Sequence, residues 1–181
     1  MRAGLALLSL LLVFSSDARA DDARRRFRIA GAGTLVIPLR ETWNAAGDKD
    51  GSLLYRAPGG EMLILTVLQN KEGRSDFTAP ARLRQELEAA GKPHLEHTAE
   101  KAIDLVEIQG TSNTGYYFSL TDSNLVGKEP GPSEYRAITE GMLGVKNELL
   151  LKFTVLSQQR DATAVQQALA AMRSASLEPL R

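Results

Sequence analysis

Residues 136–157 read RAITEGMLGVKNELLLKFTVLS, and this stretch decides the fold. In its second half every other side chain is large and apolar, which is the period of a strand with one buried face: Leu149, Leu151, Phe153 and Val155. The pair Lys146-Asn147 separates the two halves and suits a tight turn. We therefore predict an antiparallel hairpin whose strands cover residues 136–145 and 148–157.

A helix is predicted directly after this hairpin. Asp161 can accept hydrogen bonds from the free backbone N–H groups of a helix start. The residues that follow carry an apolar stripe with helical spacing: Val165, Ala168, Leu169 and Met172. The helix should run to about Ala175 and lie with this stripe on the sheet.

The upstream residues supply more strands and one more helix. Apolar runs bounded by turn residues predict strands at residues 33–39, 53–57, 62–69, 101–109 and 116–121. The strand at 62–69 is apolar on both faces, so both faces should be covered. Thr78 can cap a helix over residues 80–90, with Leu83 and Leu87 on its inner side. Short connections between strands favour antiparallel neighbours. The predicted fold class is α+β, with a mainly antiparallel sheet flanked by two helices.

The first twenty residues have the pattern of a cleavable export signal. Arg2 precedes an apolar run at residues 5–14, and Ala18 and Ala20 present the small-x-small pattern that signal peptidase cuts. The apolar run is too short for a permanent membrane anchor. We therefore predict a signal peptide over residues 1–20 that is cut near Ala20, which makes the mature protein periplasmic or secreted.

The remaining sequence predicts a flexible segment over residues 21–32 and a single domain over residues 33–181. Its charges are balanced, with 22 basic and 22 acidic residues in the whole chain, so electrostatics gives no indication of a nucleic-acid partner. The chain has no cysteine, which excludes disulfides and the lipid-modified cysteine of a bacterial lipoprotein. We expect a soluble exported domain without an integral membrane anchor.

Several short patterns occur together in this chain. They are the strand at 151–156, the helix start at Asp161 with Met172-Arg173-Ser174 near the helix end, and Val36-Ile37-Pro38 leading to Trp43. In these features the chain resembles the PsbP-like proteins, which share an α/β/α sandwich with the Ran-binding Mog proteins. Residues 115–122, with Glu134-Tyr135 further on, also look like a group of small, uncharacterised exported bacterial proteins. The resemblance implies a PsbP-like sandwich whose known members mostly bind or assist other proteins and lack conventional active sites.

The two histidines of the chain, His94 and His97, offer one candidate metal site. If they lay on a helical turn, Glu100 would fall on the same side, and two nitrogens and a carboxylate could hold Zn²⁺ or a similar ion. The segment follows a helix stop and precedes a strand, so a solvated connector is the alternative, and we favour it. No other catalytic pattern appears: the chain has no cysteine nucleophile and no Gly-x-Ser-x-Gly motif. We predict no catalytic residue and no cofactor.

The loop 122–134 is the candidate binding element. It is long for a connection between neighbouring strands, and loops of this length in compact domains often bind or are disordered. Its ends are Asp122 and Glu134, three tyrosines stand close to it in sequence, and these five residues are the predicted binding residues: Tyr116, Tyr117, Asp122, Glu134 and Tyr135. Aromatic side chains at a loop mouth suit contact with a protein or ligand. The alternative is that the tyrosines are half-buried packing residues of a sheet.

Three functions are compatible with these patterns. The leading one is a soluble, exported, non-enzymatic binding or assembly-accessory protein of the cell envelope, whose partner is another envelope protein. The second is a carrier that holds a small apolar ligand in a cleft between the sheet and one helix. The third is a metal-dependent enzyme that uses His94 and His97.

Overall fold

The computed structural model describes residues 24–49, 51–110, 113–131 and 134–180, so the predicted signal peptide and its cut near Ala20 lie outside the described residues. The strands are β1 Arg25–Ile29, β2 Gly33–Ile37, β3 Asn44–Lys49, β4 Ser52–Arg56, β5 Met62–Gln69, β6 Val106–Gln109, β7 Asn113–Thr121, β8 Ala137–Val145, β9 Leu149–Ser157 and β10 Ser176–Glu178. The helices are α1 Pro80–Gly91 and α2 Thr163–Arg173, and two 3₁₀ helices span Lys92–His97 and Ser123–Leu125.

Seven strands form the large sheet, in the order β3-β4-β5-β9-β8-β7-β6. Every pairing between neighbours in it is antiparallel. The predicted hairpin is confirmed as β8 and β9, and Lys146 and Asn147 at its turn have φ of 52° and 54°, as a type I′ turn requires. The long pairing of β5 with β9 joins the two halves of the chain. The α+β class with a mainly antiparallel sheet and two helices is confirmed.

A second, three-stranded sheet has the order β1-β2-β10. The prediction of a flexible segment over residues 21–32 is therefore wrong for Arg25–Ile29, which pairs along its whole length with β2. The reason is that buried and exposed side chains alternate in this strand although the sequence is rich in arginine. Phe27 and Ile29 are buried, while Arg26 and Arg28 point to solvent. The fold thus begins before residue 33.

The arginine side chains at the start of the chain have structural partners. Arg25 donates a hydrogen bond to the carbonyl of Trp43 at 2.6 Å, and its guanidinium lies 5.7 Å from the centre of the Tyr55 ring. Arg26 pairs with Glu178 of β10. These contacts tie β1 to the large sheet and to the last strand.

The two helices pack on opposite faces of the large sheet. On one face α2 and the small sheet enclose the main core, and the predicted stripe of α2 is buried in it. On the other face α1 lies over β7 and β8, with Leu83 and Leu87 buried in a smaller core. Neither helix in the described part of the chain is long and apolar enough to cross a membrane.

Full cover of the strand at 62–69 was expected, and the structure does not provide it. Leu63, Leu65 and Val67 are buried under the main core, but Met62 and Ile64 on the other face are only half-buried. The reason is that α1 lies over β7 and β8, and a single helix is too narrow to cover β5 as well.

Several predicted element ends are also corrected. Residues 101–105 precede β6 and are not part of it. Thr78 does not cap α1, because its N–H and Oγ1 both donate to Oδ1 of Asn147, at 3.1 and 3.0 Å, and the residue at the cap is Ala79. Asp161 likewise makes no cap bond, since α2 begins one residue later than predicted, after Ala162.

Candidate functional site

A cleft of about 220 Å³ opens at the end of the large sheet where β7 ends and β8 begins. Its floor is apolar and its rim carries two imidazoles, a guanidinium, a phenol and a carboxylate. The lining residues are His94, His97, Thr98, Asp122, Tyr135, Arg136, Ala137, Ile138 and Leu156. The cleft therefore joins the predicted histidine segment to the predicted loop.

The 3₁₀ helix Lys92–His97 places both histidines at the cleft. With three residues per turn, His94 and His97 fall on the same side of it. The chain after it is fixed to the start of the loop, because Ala99 N–H donates to the carbonyl of Thr121 at 2.9 Å and Ser123 Oγ donates to the carbonyl of His97 at 3.0 Å. This wall of the cleft is thus anchored to the sheet end.

Glu100 does not join the histidines. Its carboxylate accepts hydrogen bonds from Thr121 N–H at 2.8 Å and Thr121 Oγ1 at 3.0 Å, and it pairs with Arg160 at 2.8 Å. Burial raises the pKa of Glu100, but the bonds from Thr121 and the charge of Arg160 outweigh it and hold that pKa below its ordinary value. The candidate metal triad of His94, His97 and Glu100, which the sequence analysis disfavoured, is therefore not assembled, and no group of three or more such ligands occurs among the described residues.

His94 instead has a carboxylate neighbour that the sequence analysis missed. Its Nε2 lies 3.6 Å from Oε1 of Glu140 on β8. Burial raises the pKa of Glu140, and the positive charge of a protonated His94 partly opposes that rise. One signal was available: Glu140 is the single charged residue in the strand interior at 137–145.

The described part of the loop 122–134 is held by hydrogen bonds at both ends. Asp122 Oδ1 accepts from Asn124 N–H at 2.8 Å and so caps the short 3₁₀ helix. At the other end, Glu134 Oε2 accepts from Gly131 N–H at 2.8 Å, and the Arg136 guanidinium donates to the carbonyl of Lys128. Residues 132 and 133 of this loop lie outside the described residues.

The loop also presents an apolar side chain to solvent. Val126 is 55% exposed, directly after the short 3₁₀ helix. The carbonyl of Glu134 accepts a further bond from Gln158 Nε2 at 2.8 Å, which ties the loop's return to the end of β9. The exposed valine thus stands on a tethered segment.

The three tyrosines are separated by the fold. Tyr135 lines the cleft, and its hydroxyl donates to the carbonyl of Gly60 at 3.3 Å. Tyr116 is buried on the α1 face with the Arg84 guanidinium 5.2 Å from its ring centre, while Tyr117 is half-buried against the main core. Both lie four or five residues before the end of β7, about 15 Å from the loop at ~3.4 Å per residue. Asp122 and Tyr135 therefore belong to the cleft, Glu134 is not among its lining residues, and Tyr116 and Tyr117 are packing residues.

The geometry of the cleft suits binding by contact and hydrogen bonding. The inner side chains of the helices are tightly packed, with Leu83 fully buried, so the cleft lies beside α1 and not beneath it. A wider depression of about 440 Å³ lies on the outer side of α2, where Arg40, Gln166 and Gln167 give it polar walls. Drug-sized ligands usually occupy cavities of about 300–1,000 Å³ with mostly apolar linings. The cleft is smaller than this range and the depression on α2 falls within it, so the carrier function stays a prediction.

Comparison with known proteins gives matches to this chain among solved structures. No protein-family model matches the chain, and no curated protein matches it. Among solved structures, the chain is similar to the crystal structure of the Ran-binding protein Mog1p from Saccharomyces cerevisiae, with a TM-score of 0.47 and 11% sequence identity. The alignment covers 85% of this chain and 95% of that one.

Proposed function

We propose that this chain is an exported protein whose domain binds another protein of the cell envelope and catalyses no reaction. The observation that carries the proposal is the tethered loop: it holds the exposed Val126 beside a cleft with an apolar floor and a charged rim. A segment that is already held in place loses little conformational freedom on binding, so less of the contact energy is offset.

The floor and the rim of the cleft can make different contacts with a partner. Ile138 and Leu156 give an apolar floor on which one partner side chain can pack. Arg136, Tyr135 and the histidines surround it with groups that orient a polar chain. An apolar centre with a polar rim is the usual anatomy of a protein interface.

The bonds of the polar groups favour binding over catalysis. Asp122 is engaged as the cap of the short 3₁₀ helix, and the Tyr135 hydroxyl with Gly60. Glu100 is engaged with Thr121 and Arg160. Groups that hold the walls of the cleft in place are poorly available as acids, bases or nucleophiles.

The export step is tested by mass spectrometry of the intact protein from the periplasmic fraction. The expected N-terminus is Asp21, because Ala18 and Ala20 form the cleavage pattern. Ala18→Asp should leave the leader attached, since a charged residue replaces a small one at that pattern. A full-length wild-type protein in the cytoplasmic fraction would contradict export.

The binding step is tested by capture from an envelope extract with quantitative mass spectrometry. Val126→Ser should lower recovery of the specific partner about tenfold, the effect of losing ~1.4 kcal/mol of binding. Val106→Ser is the matched control, because this valine is also exposed, at 42%, but lies on the edge strand β6. Equal recovery with wild type, Val126→Ser and Val106→Ser would show that the loop is not the contact surface.

A further inference from the structure

The face of the large sheet that carries α1 is only partly covered. α1 lies over β7 and β8, and the strands β9, β5 and β4 continue beyond it. Alternate residues of these three strands are buried under the main core, and the others point to the α1 side. Leu150 of this set is buried in the smaller core, and Leu68 lies near the far end of β5. We name the others the open face: Ser52, Leu54, Arg56, Met62, Ile64, Thr66, Lys152, Thr154 and Leu156.

The middle of the open face is an apolar strip. Leu54 stands opposite Ile64 in the register of β4 and β5, and Met62 stands opposite Leu156 in the register of β5 and β9. Leu156 in turn stands opposite Ile138, which is part of the cleft floor. The strip therefore runs across four strands and is continuous with the cleft.

Two cations border this strip without an acidic partner. Lys152 on β9 stands between its cross-strand partners Thr66 and Met142, on one side of the strip. Arg56 on β4 stands opposite Met62, on the other side. Within the described residues neither side chain takes part in an ion pair, and Glu140, which lies on the same face of the sheet on β8, is the neighbour of His94. The open face thus has an apolar centre and unmatched positive charge on two sides.

The dimensions of the open face fit one helix. Three neighbouring strands at ~4.8 Å spacing occupy about 14 Å. A helix with its side chains is about 10–12 Å across, and packed helices lie ~8–10 Å apart. One helix placed beside α1 would cover the open face and complete the layer that α1 begins.

We propose that the partner's contact segment is an amphipathic helix with acidic flanks, which lies on the open face beside α1 with its apolar stripe on Leu54, Met62 and Ile64. This proposal rests on the proposed function and names the chemistry of the partner. The acidic flanks meet Arg56 and Lys152. A second copy of this chain is disfavoured as the occupant, because pairing two open faces brings these cations together.

The test uses the intact protein and a pair of synthetic helical peptides. Both carry the same leucine stripe at helical spacing, and glutamates flank it in one and lysines in the other. Fluorescence anisotropy measures affinity, and methyl NMR shows which side chains of the protein are contacted. The glutamate peptide should bind at least tenfold more tightly and shift the methyl signals of Met62 and Ile64.

Two variants with a matched control sharpen the result. Lys152→Glu should reverse the preference between the peptides. Ile64→Thr should lower the affinity for the glutamate peptide about tenfold, and threonine at a half-exposed strand position keeps the sheet folded. Val106→Thr makes the same kind of change on edge strand β6 and should leave the affinity unchanged. Circular dichroism confirms the fold of each variant.

Three outcomes would overturn the proposal. They are equal affinity for both peptides, methyl shifts away from the open face, and self-association that Ile64→Thr abolishes, which assigns the face to a second copy. Val126→Ser tests the loop separately from the open face, through capture of the partner from the envelope extract. If the peptide test fails but Val126→Ser still lowers partner capture, the helix proposal is rejected and the loop is retained as a contact surface.

Discussion

Nε2 of His94 lies 3.6 Å from Oε1 of Glu140, so the 3₁₀ helix at the cleft reaches a carboxylate inside the sheet. Burial raises the pKa of Glu140 above its ordinary value of 4.5. Between the ordinary pKa, which applies to the unfolded state, and the raised pKa of the folded state, the folded protein keeps a proton that the unfolded protein releases. The unfolding free energy therefore falls as pH rises through this window. Glu140→Gln should flatten this part of the pH profile of the unfolding free energy, measured by urea denaturation.

The control for this prediction is Glu107→Gln, which neutralises an exposed carboxylate on β6. It should leave the shape of the profile unchanged. His94→Gln should raise the pKa of Glu140 further, because it removes the opposing positive charge, and carbon-detected NMR of the carboxylate can follow this. If the pH profile of Glu140→Gln ran parallel to that of wild type, Glu140 would not be the group whose protonation makes stability depend on pH in this window.

Glu100 fastens the cleft wall to the end of β7, and its loss should be costly. Glu100→Ala removes two hydrogen bonds to Thr121, and bonds to a charged group contribute about 1.5–3 kcal/mol each at most. Because its folded pKa is lowered, the stabilisation is present above the ordinary pKa and is lost as pH falls through the folded value. Denaturation at neutral and at acid pH should therefore show a large loss only at neutral pH.

Arg160→Ala is the comparison for Glu100. The arginine side chain is 50% exposed, and exposed ion pairs contribute only about 0.2–1 kcal/mol. Its loss should thus be smaller than that of Glu100→Ala. If the two variants were equally destabilised, the bonds to Thr121 would not be the main function of Glu100.

The parts of the fold predicted from the sequence are those whose signal is local. The alternation from Leu149 to Val155 and the stripe of α2 each lie within one element, and both were confirmed. Strand β1 was missed because its alternation is two buried residues long, Phe27 and Ile29, inside a run of arginines. Strand β10 has three residues and is defined by its pairing with β2.

The candidate site was predicted in part for the same reason. The positions of Asp122 and Tyr135 followed from the loop that they border, and both line the cleft. The proximity of His94 to Glu140 joins residues far apart in sequence, which no local pattern shows. Tyr116 was misplaced because β7 extends nine residues, so residues near the loop in sequence lie deep in the sheet.

Trp43 joins the main core to α2 through its indole. It is fully buried, and its Nε1 donates to Oε1 of Gln167 at 3.1 Å. Trp43→Ala should lower the unfolding free energy by about 3–5 kcal/mol, the usual cost of a large aromatic cavity. Gln167→Leu should cost less, about 1–3 kcal/mol, because it leaves only the indole N–H unpaired. Equal losses in denaturation experiments would place the main contribution of Trp43 in its hydrogen bond.

Gly141 lies under the ring of Phe153, its partner in the register of β8 and β9. A Cβ atom at position 141 would overlap that ring, so Gly141→Ala should destabilise the fold by about 1–3 kcal/mol through overpacking. Phe153→Leu alone should also destabilise, but in the double variant the smaller side chain makes room for the methyl group. A double-mutant cycle should therefore show a loss smaller than the sum of the single losses. Additivity within about 0.5 kcal/mol would mean that the ring moves aside and that this contact does not require glycine.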